Sequence, residues 1–125
     1  MTKLKVIILI AIVILVGIVA VVWYFRPSEV KANVLDSFAQ CLTEKGAIMY
    51  GAEWCVHCQN QKAAFGSAFK YATYVECPDD PKKCTDAGIE GFPTWIFKNG
   101  EKLACEQSFT DLSKASGCPL PNGVK

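Results

Sequence analysis

Cys55 and Cys58 are separated only by Val56 and His57, and Phe92-Pro93-Thr94 follows 34 residues after the second cysteine. At that spacing one thiolate attacks a disulfide while its neighbour resolves the mixed intermediate, so thiol–disulfide exchange is the chemistry to expect. Two other uses of the pair are weaker. A zinc knuckle needs a second close pair, but Cys77 and Cys84 have six residues between them, so no metal is expected. A c-type haem needs histidine directly after the second cysteine, where Gln59 stands.

The apolar run Ala47-Ile48-Met49-Tyr50 reads as a short buried strand, Gly51 to Trp54 as a loop, and Val56 to Lys70 as a helix with Phe65 and Phe69 one turn apart. Cys55 then sits at the first turn, where unpaired N–H groups and the positive end of the dipole favour a thiolate, so it is the expected nucleophile. Cys58, one turn further in, is the buried resolving thiol. An imidazole N–H or imidazolium from His57 near the Cys55 sulfur stabilises the reduced form and makes the disulfide a stronger oxidant. Trp54 serves either as a core aromatic or as a platform for substrate, whereas Trp95 sits within an expected strand and reads as core.

The remaining pattern supplies the frame. Ala32 to Lys45 has apolar residues at Val34, Leu35, Phe38, Ala39 and Leu42, one face of a helix that Gly46 ends. Tyr71 to Cys77 reads as a strand, Pro78-Asp79-Asp80-Pro81 as a breaker, and Lys82 to Ala87 as a short helix. Thr94 to Lys98 and Glu101 to Glu106 read as strands about a two-residue Asn99-Gly100 turn, and Asp111 to Gly117 as the last helix. The order α, β, α, β, α, β, β, α implies an α/β fold with mixed strand directions.

Ahead of this frame, Val6 to Phe25 runs for twenty residues without a charge. Such a helix is about 30 Å long, roughly the hydrocarbon thickness of a bilayer. Lys3 and Lys5 would also suit a cleavable signal peptide, but Ile18 two positions before Ala20 is a poor small-x-small exit. Trp23, Tyr24 and Phe25 close the run as an aromatic belt, so an uncleaved anchor is the preferred reading. The flanking basic residues favour a cytoplasmic N-terminus, and seven cysteines in 125 residues favour an oxidising compartment. The expected organisation is a transmembrane anchor at 1–25, a linker at 26–31, one domain at 32–118 facing the periplasm or cell exterior, and a tail at 119–125. From Arg26 onward 11 basic and 12 acidic residues are interspersed, which gives nucleic-acid binding no electrostatic support.

Two separated motifs carry a family resemblance. Ala52-Glu53-Trp54-Cys55 resembles the approach to the active site of thioredoxins. Gly88 to Thr94, followed by Trp95-Ile96-Phe97-Lys98-Asn99-Gly100-Glu101, resembles their cis-proline segment. The resemblance covers about residues 32–118 and implies a central mixed sheet flanked by helices, with no bound cofactor beyond the Cys55/Cys58 disulfide. It also implies a cis Pro93 and a Phe92 backbone that pairs with client chains as a β-strand partner. Phe38-Ala39-Gln40-Cys41-Leu42, Tyr50-Gly51-Ala52, Cys77 with Cys84, and Ser116-Gly117-Cys118 resemble, more narrowly, the thioredoxin-like domain associated with bacterial and archaeal vitamin K epoxide reductase homologues. That resemblance implies exchange between client cysteines and a membrane quinone-linked partner.

Two departures from reducing thioredoxins point toward an oxidising role. Val56-His57 resembles the dipeptides of periplasmic disulfide oxidases and protein disulfide isomerases, and Met49 stands where thioredoxins place a buried aspartate that assists the resolving cysteine. The alternatives are an exported reductase or isomerase fed by a membrane electron conduit, and a non-catalytic thioredoxin-like binding module. The sequence leaves the pairing of the other five cysteines open. Cys77 and Cys84 flank a turn and would close a small loop, either as a structural bridge or as a second redox pair; the resemblance also pairs two cysteines there. Cys41 with Cys118 would tie the first domain helix to the C-terminus, leaving Cys105 in its strand as a buried free thiol or an intermolecular site.

Overall fold

The computed structural model describes residues 2–24 and 34–125, and the chain divides into two units, Met1–Lys31 and Ala32–Lys125. The expected linker, Phe25, and the first two residues of the expected helix at 32–45 lie outside the described residues.

The first unit contains helix α1, Thr2–Tyr24, whose 23 residues are apolar on every face beyond Lys5 and long enough to cross a membrane. A helix with no polar stripe has no side to show to water, which is the pattern of a span rather than of a surface helix.

In the second unit, Leu35 precedes α2, Asp36–Glu44, which buries Phe38, Ala39 and Leu42. Strand β1, Ile48–Gly51, leads through the cysteine loop into α3, Val56–Phe65. The helix expected to reach Lys70 stops at Phe65, because Gly66 takes φ +57° and turns the chain into a 3-10 helix, Gly66–Tyr71. Strand β2, Thr73–Glu76, and helix α4, Pro81–Asp86, follow, the latter with Pro81 in its first turn and the Asp80 carboxylate accepting from Lys83 N–H. The chain ends with β3, Thr94–Ile96, β4, Lys102–Ala104, and α5, Phe109–Ser116.

The four strands lie in the order β2-β1-β3-β4, with β1 parallel to β2 and antiparallel to β3, and β3 antiparallel to β4. The parallel pair requires a crossover, and α3 with its 3-10 extension supplies it. The β3–β4 connection is one residue longer than the expected two-residue turn. Phe97 N–H donates to the Glu101 carbonyl and Gly100 N–H to the Phe97 carbonyl, so Lys98, Asn99 and Gly100 form a three-residue loop. Strand β4 also stops short of Glu106, because Cys105 adopts φ +69° and turns the chain away from the sheet.

Trp95, Phe38, Phe65, Leu42, Met49 and Leu112 are fully buried in one cluster that also contains Cys58. Phe65 is at its centre, 5.0 Å from Phe109 edge-on and 6.0 Å from Trp95. The helix bearing the cysteines is thus fixed to the sheet through its last residue. Leu120 and Val124, in the expected tail, pack against the same core.

Candidate active site

Cys55 is the N-cap of α3, with extended backbone at φ −79° and ψ 116°, and no side chain caps that helix end. The N–H groups of that first turn therefore have no side-chain cap. The Cys55 Sγ is half-buried and lies 3.7 Å from the carbonyl oxygen of Phe92, whose peptide bond to Pro93 is cis. Cys58, one turn on, is fully buried. Burial pushes its thiol up to about 11, reinforced by the hydrogen bond and charge of Cys55, while the Ala52 backbone and Lys62 act in the opposite direction. One thiol is accessible and the other enclosed, the division of labour of an attacking and a resolving cysteine.

The remaining residues singled out in the sequence fall into four groups. Trp54 is 71% exposed and meets Phe92 edge-on at 6.0 Å, so it is no core aromatic; together they form an apolar shelf beside Cys55. His57 is exposed and held away from the core, its Nδ1 2.6 Å from Glu106 Oε1, which also accepts from Asn60 Nδ2 at 3.0 Å. The His57 contact, more than the Asn60 one, holds the Glu106 carboxyl below the usual range. Cys77–Cys84 and Cys41–Cys118 are disulfides. The former lines a groove of about 310 Å³ with Pro78, Pro81, Thr85, Ile89 and Phe92, so Phe92 belongs to both the groove and the cysteine site. Cys105 is neither buried nor within a strand: it is an exposed free thiol just past β4, and its N–H donates to the Pro93 carbonyl at 2.8 Å.

Several contributors were not visible in the sequence. Gln61 is buried and clasps Gln107, accepting from its N–H at 2.7 Å and donating to its carbonyl at 3.2 Å, which fixes the segment carrying Glu106 against α3. Tyr74 and Glu76 point from β2 into the region below the cysteines. Tyr74 O–H donates to Glu76 Oε2, and Glu76 Oε1 accepts from Glu53 N–H at 2.7 Å. Gly51 leaves the space these groups occupy: a Cβ there would stand 2.7 Å from Cys58 Sγ and 3.2 Å from the Tyr74 hydroxyl. An i, i+2 pair on a strand shares one face, so Tyr74 and Glu76 were legible as a pair but not as placing Tyr74 beside Cys58 at Gly51.

An accessible thiol at a helix start, an enclosed partner one turn away and a backbone carbonyl beside the pair define a thiol–disulfide oxidoreductase domain. Among the described residues no cluster of His, Cys, Asp and Glu is arranged to hold a metal ion. The thioredoxin family profile matches residues 29–115, and the chain belongs to that family. It is 46% identical over 108 residues to the thiol-disulfide oxidoreductase LTO1 of Arabidopsis thaliana, covering 78% of this chain and 28% of that protein. It is 33% identical over 81 residues to the thioredoxin domain-containing protein 5 homolog of Drosophila melanogaster, covering 54% of this chain and 19% of that one. The chain therefore spans less than a third of the length of either relative.

Proposed function

We propose that this chain is a membrane-anchored, extracytoplasmic oxidoreductase that forms disulfides in client proteins through Cys55 and Cys58, and that a membrane quinone-linked partner of the vitamin K epoxide reductase kind reoxidises it. A client thiolate attacks Cys55 Sγ, the Cys55–Cys58 bond breaks, and Cys58 leaves as a thiolate that takes up a proton. A second client thiolate then attacks the client sulfur of the mixed disulfide, and Cys55 leaves. Two electrons and two protons now reside on the pair. In the return half, Cys55 attacks a disulfide of the partner, Cys58 attacks Cys55 Sγ, and the partner departs as a dithiol. No bound cofactor enters either half.

The observation that carries this reading is the placement of half-buried Cys55 at the uncapped start of α3 beside the Phe92 carbonyl, with Trp54 and Phe92 forming a shelf for the client. Client recognition is by main-chain pairing at Phe92 and is broad. The oxidising direction is supported by His57 inside the pair and by Met49, fully buried where a reducing thioredoxin carries a carboxylate. Helix α1, apolar beyond Lys5 and ended by Trp23 and Tyr24, supports the anchor, and the two further disulfides support an oxidising compartment. The Cys77–Cys84 bridge is read as structural, with Pro93, Phe92 and Trp54 as the substrate contacts.

One observation favours the reading as a reductase or isomerase. Glu106 engages His57 through Nδ1, and a carboxylate there opposes the effect of an imidazolium on Cys55. The reduction potential of the pair, equilibrated against glutathione buffers with the full chain in detergent, separates the two. A value above roughly −200 mV supports the oxidase, and a value near −270 mV recasts the protein as an exported reductase.

A further inference from the structure

Cys58 must lose a proton whenever it attacks and regain one whenever it leaves, yet it has no exposed surface. In the mixed disulfide Cys55 cannot take that proton, because its sulfur is already bonded. Met49, fully buried in the same cluster, has no acid–base chemistry to offer. Besides the Ala52 backbone and Lys62, the polar side chain that shares the thiol's surroundings is Tyr74, from β2. Around the one point where a Gly51 Cβ would stand lie Cys58 Sγ at 2.7 Å, Tyr74 Cε2 at 3.1 Å and the Tyr74 hydroxyl at 3.2 Å. That hydroxyl donates to Glu76 Oε2 at 2.5 Å, and Glu76 is only half-buried.

We propose that Tyr74 and Glu76 form the proton path of the resolving cysteine, carrying its proton from the enclosed thiol through the tyrosine hydroxyl to the carboxylate and on to solvent. The proposal rests on the thiol–disulfide reading of the Cys55/Cys58 pair. In the resolving step the Cys58 S–H bond breaks and its proton passes to Tyr74 Oη while the tyrosine proton passes to Glu76. The freed sulfur bonds to Cys55 Sγ, and the bond from Cys55 to the outgoing sulfur breaks. Cys58 is oxidised, the outgoing sulfur is reduced, and Glu76 gives its proton to water. When Cys58 is instead the leaving group, the path runs in reverse.

The charged surroundings suit a path that ends at Glu76. Lys62 Nζ lies 3.7 Å from the Tyr74 ring centroid, and an ammonium is a donor without acceptor capacity, so the path does not end there. Burial first, then the Glu76 hydrogen bond and charge, and then the two cysteines hold the Tyr74 hydroxyl well above its usual range, so it stays protonated and passes protons on rather than storing a charge. Glu53 contributes its backbone N–H to Glu76 and no side-chain bond.

The test uses the full chain in detergent with Cys105→Ser, so that Cys105 takes no part. The reduced protein is mixed with oxidised glutathione, quenched in acid at intervals and weighed. Cys55 forms the glutathione mixed disulfide in the first step, and Cys58 closes the ring in the second. Glu76→Gln keeps one acceptor oxygen, enough for Tyr74 O–H or for Glu53 N–H but not both, and accepts no proton; Tyr74→Phe keeps the ring and loses the hydroxyl. Each variant is expected to slow ring closure at pH 7 by about ten-fold or more, the lower part of what a positioned acid–base group contributes. Each should also make ring closure climb steeply with pH, with the first step changed less than two-fold. Ring closure within two-fold of the parent, with an unchanged pH profile, in the Glu76→Gln variant would overturn the path, as would equal slowing of both steps. A parent that never forms or resolves the mixed disulfide would instead overturn the thiol–disulfide reading itself.

Discussion

Removing the two disulfides separately should have unequal consequences. Cys77 and Cys84 are 7 residues apart in sequence and Cys41 and Cys118 are 77 apart. A cross-link restricts the unfolded chain more the longer the loop it closes, so its loss costs about 2.4 kcal/mol for the short loop and about 4.5 kcal/mol for the long one at 25 °C. Alanine at each position avoids leaving a buried hydroxyl, since three of the four sulfurs belong to buried residues. In a domain of this size each kcal/mol moves Tm by about 4–8 °C, so the Cys77→Ala/Cys84→Ala protein should melt on the order of 10 °C below the parent and the Cys41→Ala/Cys118→Ala protein on the order of 20 °C below. Near-ultraviolet circular dichroism under non-reducing conditions follows both transitions. The same samples, well below their Tm, are assayed for oxidation of a reduced client. If the short bridge is structural, the Cys77→Ala/Cys84→Ala protein exchanges at the parent rate. A short-loop variant as destabilised as the long-loop one would refute the entropic reasoning, and lost exchange with the expected stability change would make the bridge a redox partner of Cys55 and Cys58.

Gly51→Ala places a methyl 2.7 Å from Cys58 Sγ and 3.1 Å from the Tyr74 ring; overpacking of about 1–3 kcal/mol should lower Tm by several degrees, and an unchanged melting curve would show that the space is not filled as described. His57→Ala should move the Cys55/Cys58 potential to more reducing values, by about 30 mV for each 1.4 kcal/mol of lost preference for the reduced form, as read from glutathione equilibria. Glu106→Gln keeps an acceptor for His57 and Asn60 but removes the charge, so it should move the potential in the oxidising direction; the opposite sign would show that the carboxylate assists rather than opposes the imidazole. Because burial holds Cys58 protonated up to about 11, against 9.0 for an ordinary thiol, the unfolded chain releases that proton first as pH rises. Between pH 9 and 11 the reduced protein should therefore lose on the order of 2 kcal/mol more than the Cys58→Ala protein in parallel urea titrations, over a decline that the raised Tyr74 hydroxyl gives to both.

The chemistry was legible because its residues are close in sequence and restricted in type. Cys55 to Cys58 reads as one turn of helix, and Phe92-Pro93 announces itself by a residue with few other uses. The element order was legible for a similar reason, since alternation and helical spacing are local. Boundaries were less so: Gly66 and Cys105 both take positive φ, ending α3 and β4 earlier than periodicity implies. Glu106 looked like one exposed acid among many. Its meeting with His57 depends on the buried Gln61–Gln107 clasp, which joins residues 46 apart in sequence. Likewise Tyr74 and Cys58 share the space beside Gly51 only because β2 pairs in parallel with β1, placing Met49 opposite Tyr74 and Gly51 opposite Glu76. Contacts set by strand register have no counterpart in local spacing.

The same register explains how one short loop holds two cysteines in different environments. Cys77 N–H donates to the Gly51 carbonyl at 2.8 Å and Glu53 N–H donates to Glu76, so β2 grips the loop on both sides of Ala52. On the opposite side Cys105 N–H binds the Pro93 carbonyl, and Gln61 binds Gln107, so the Phe92 segment and the Glu106 segment are each tied to a different neighbour. With the loop, helix start and proline segment each held by bonds to their main-chain groups, the exposed residues around Cys55 include Trp54, Val56 and His57. A client therefore meets a rigid frame in which only side chains adapt. The cost of ordering the site is met in folding rather than in each encounter, and differences in rate between variants of Tyr74 and His57, which make none of these loop bonds, report on proton and charge placement rather than on a rearranging loop.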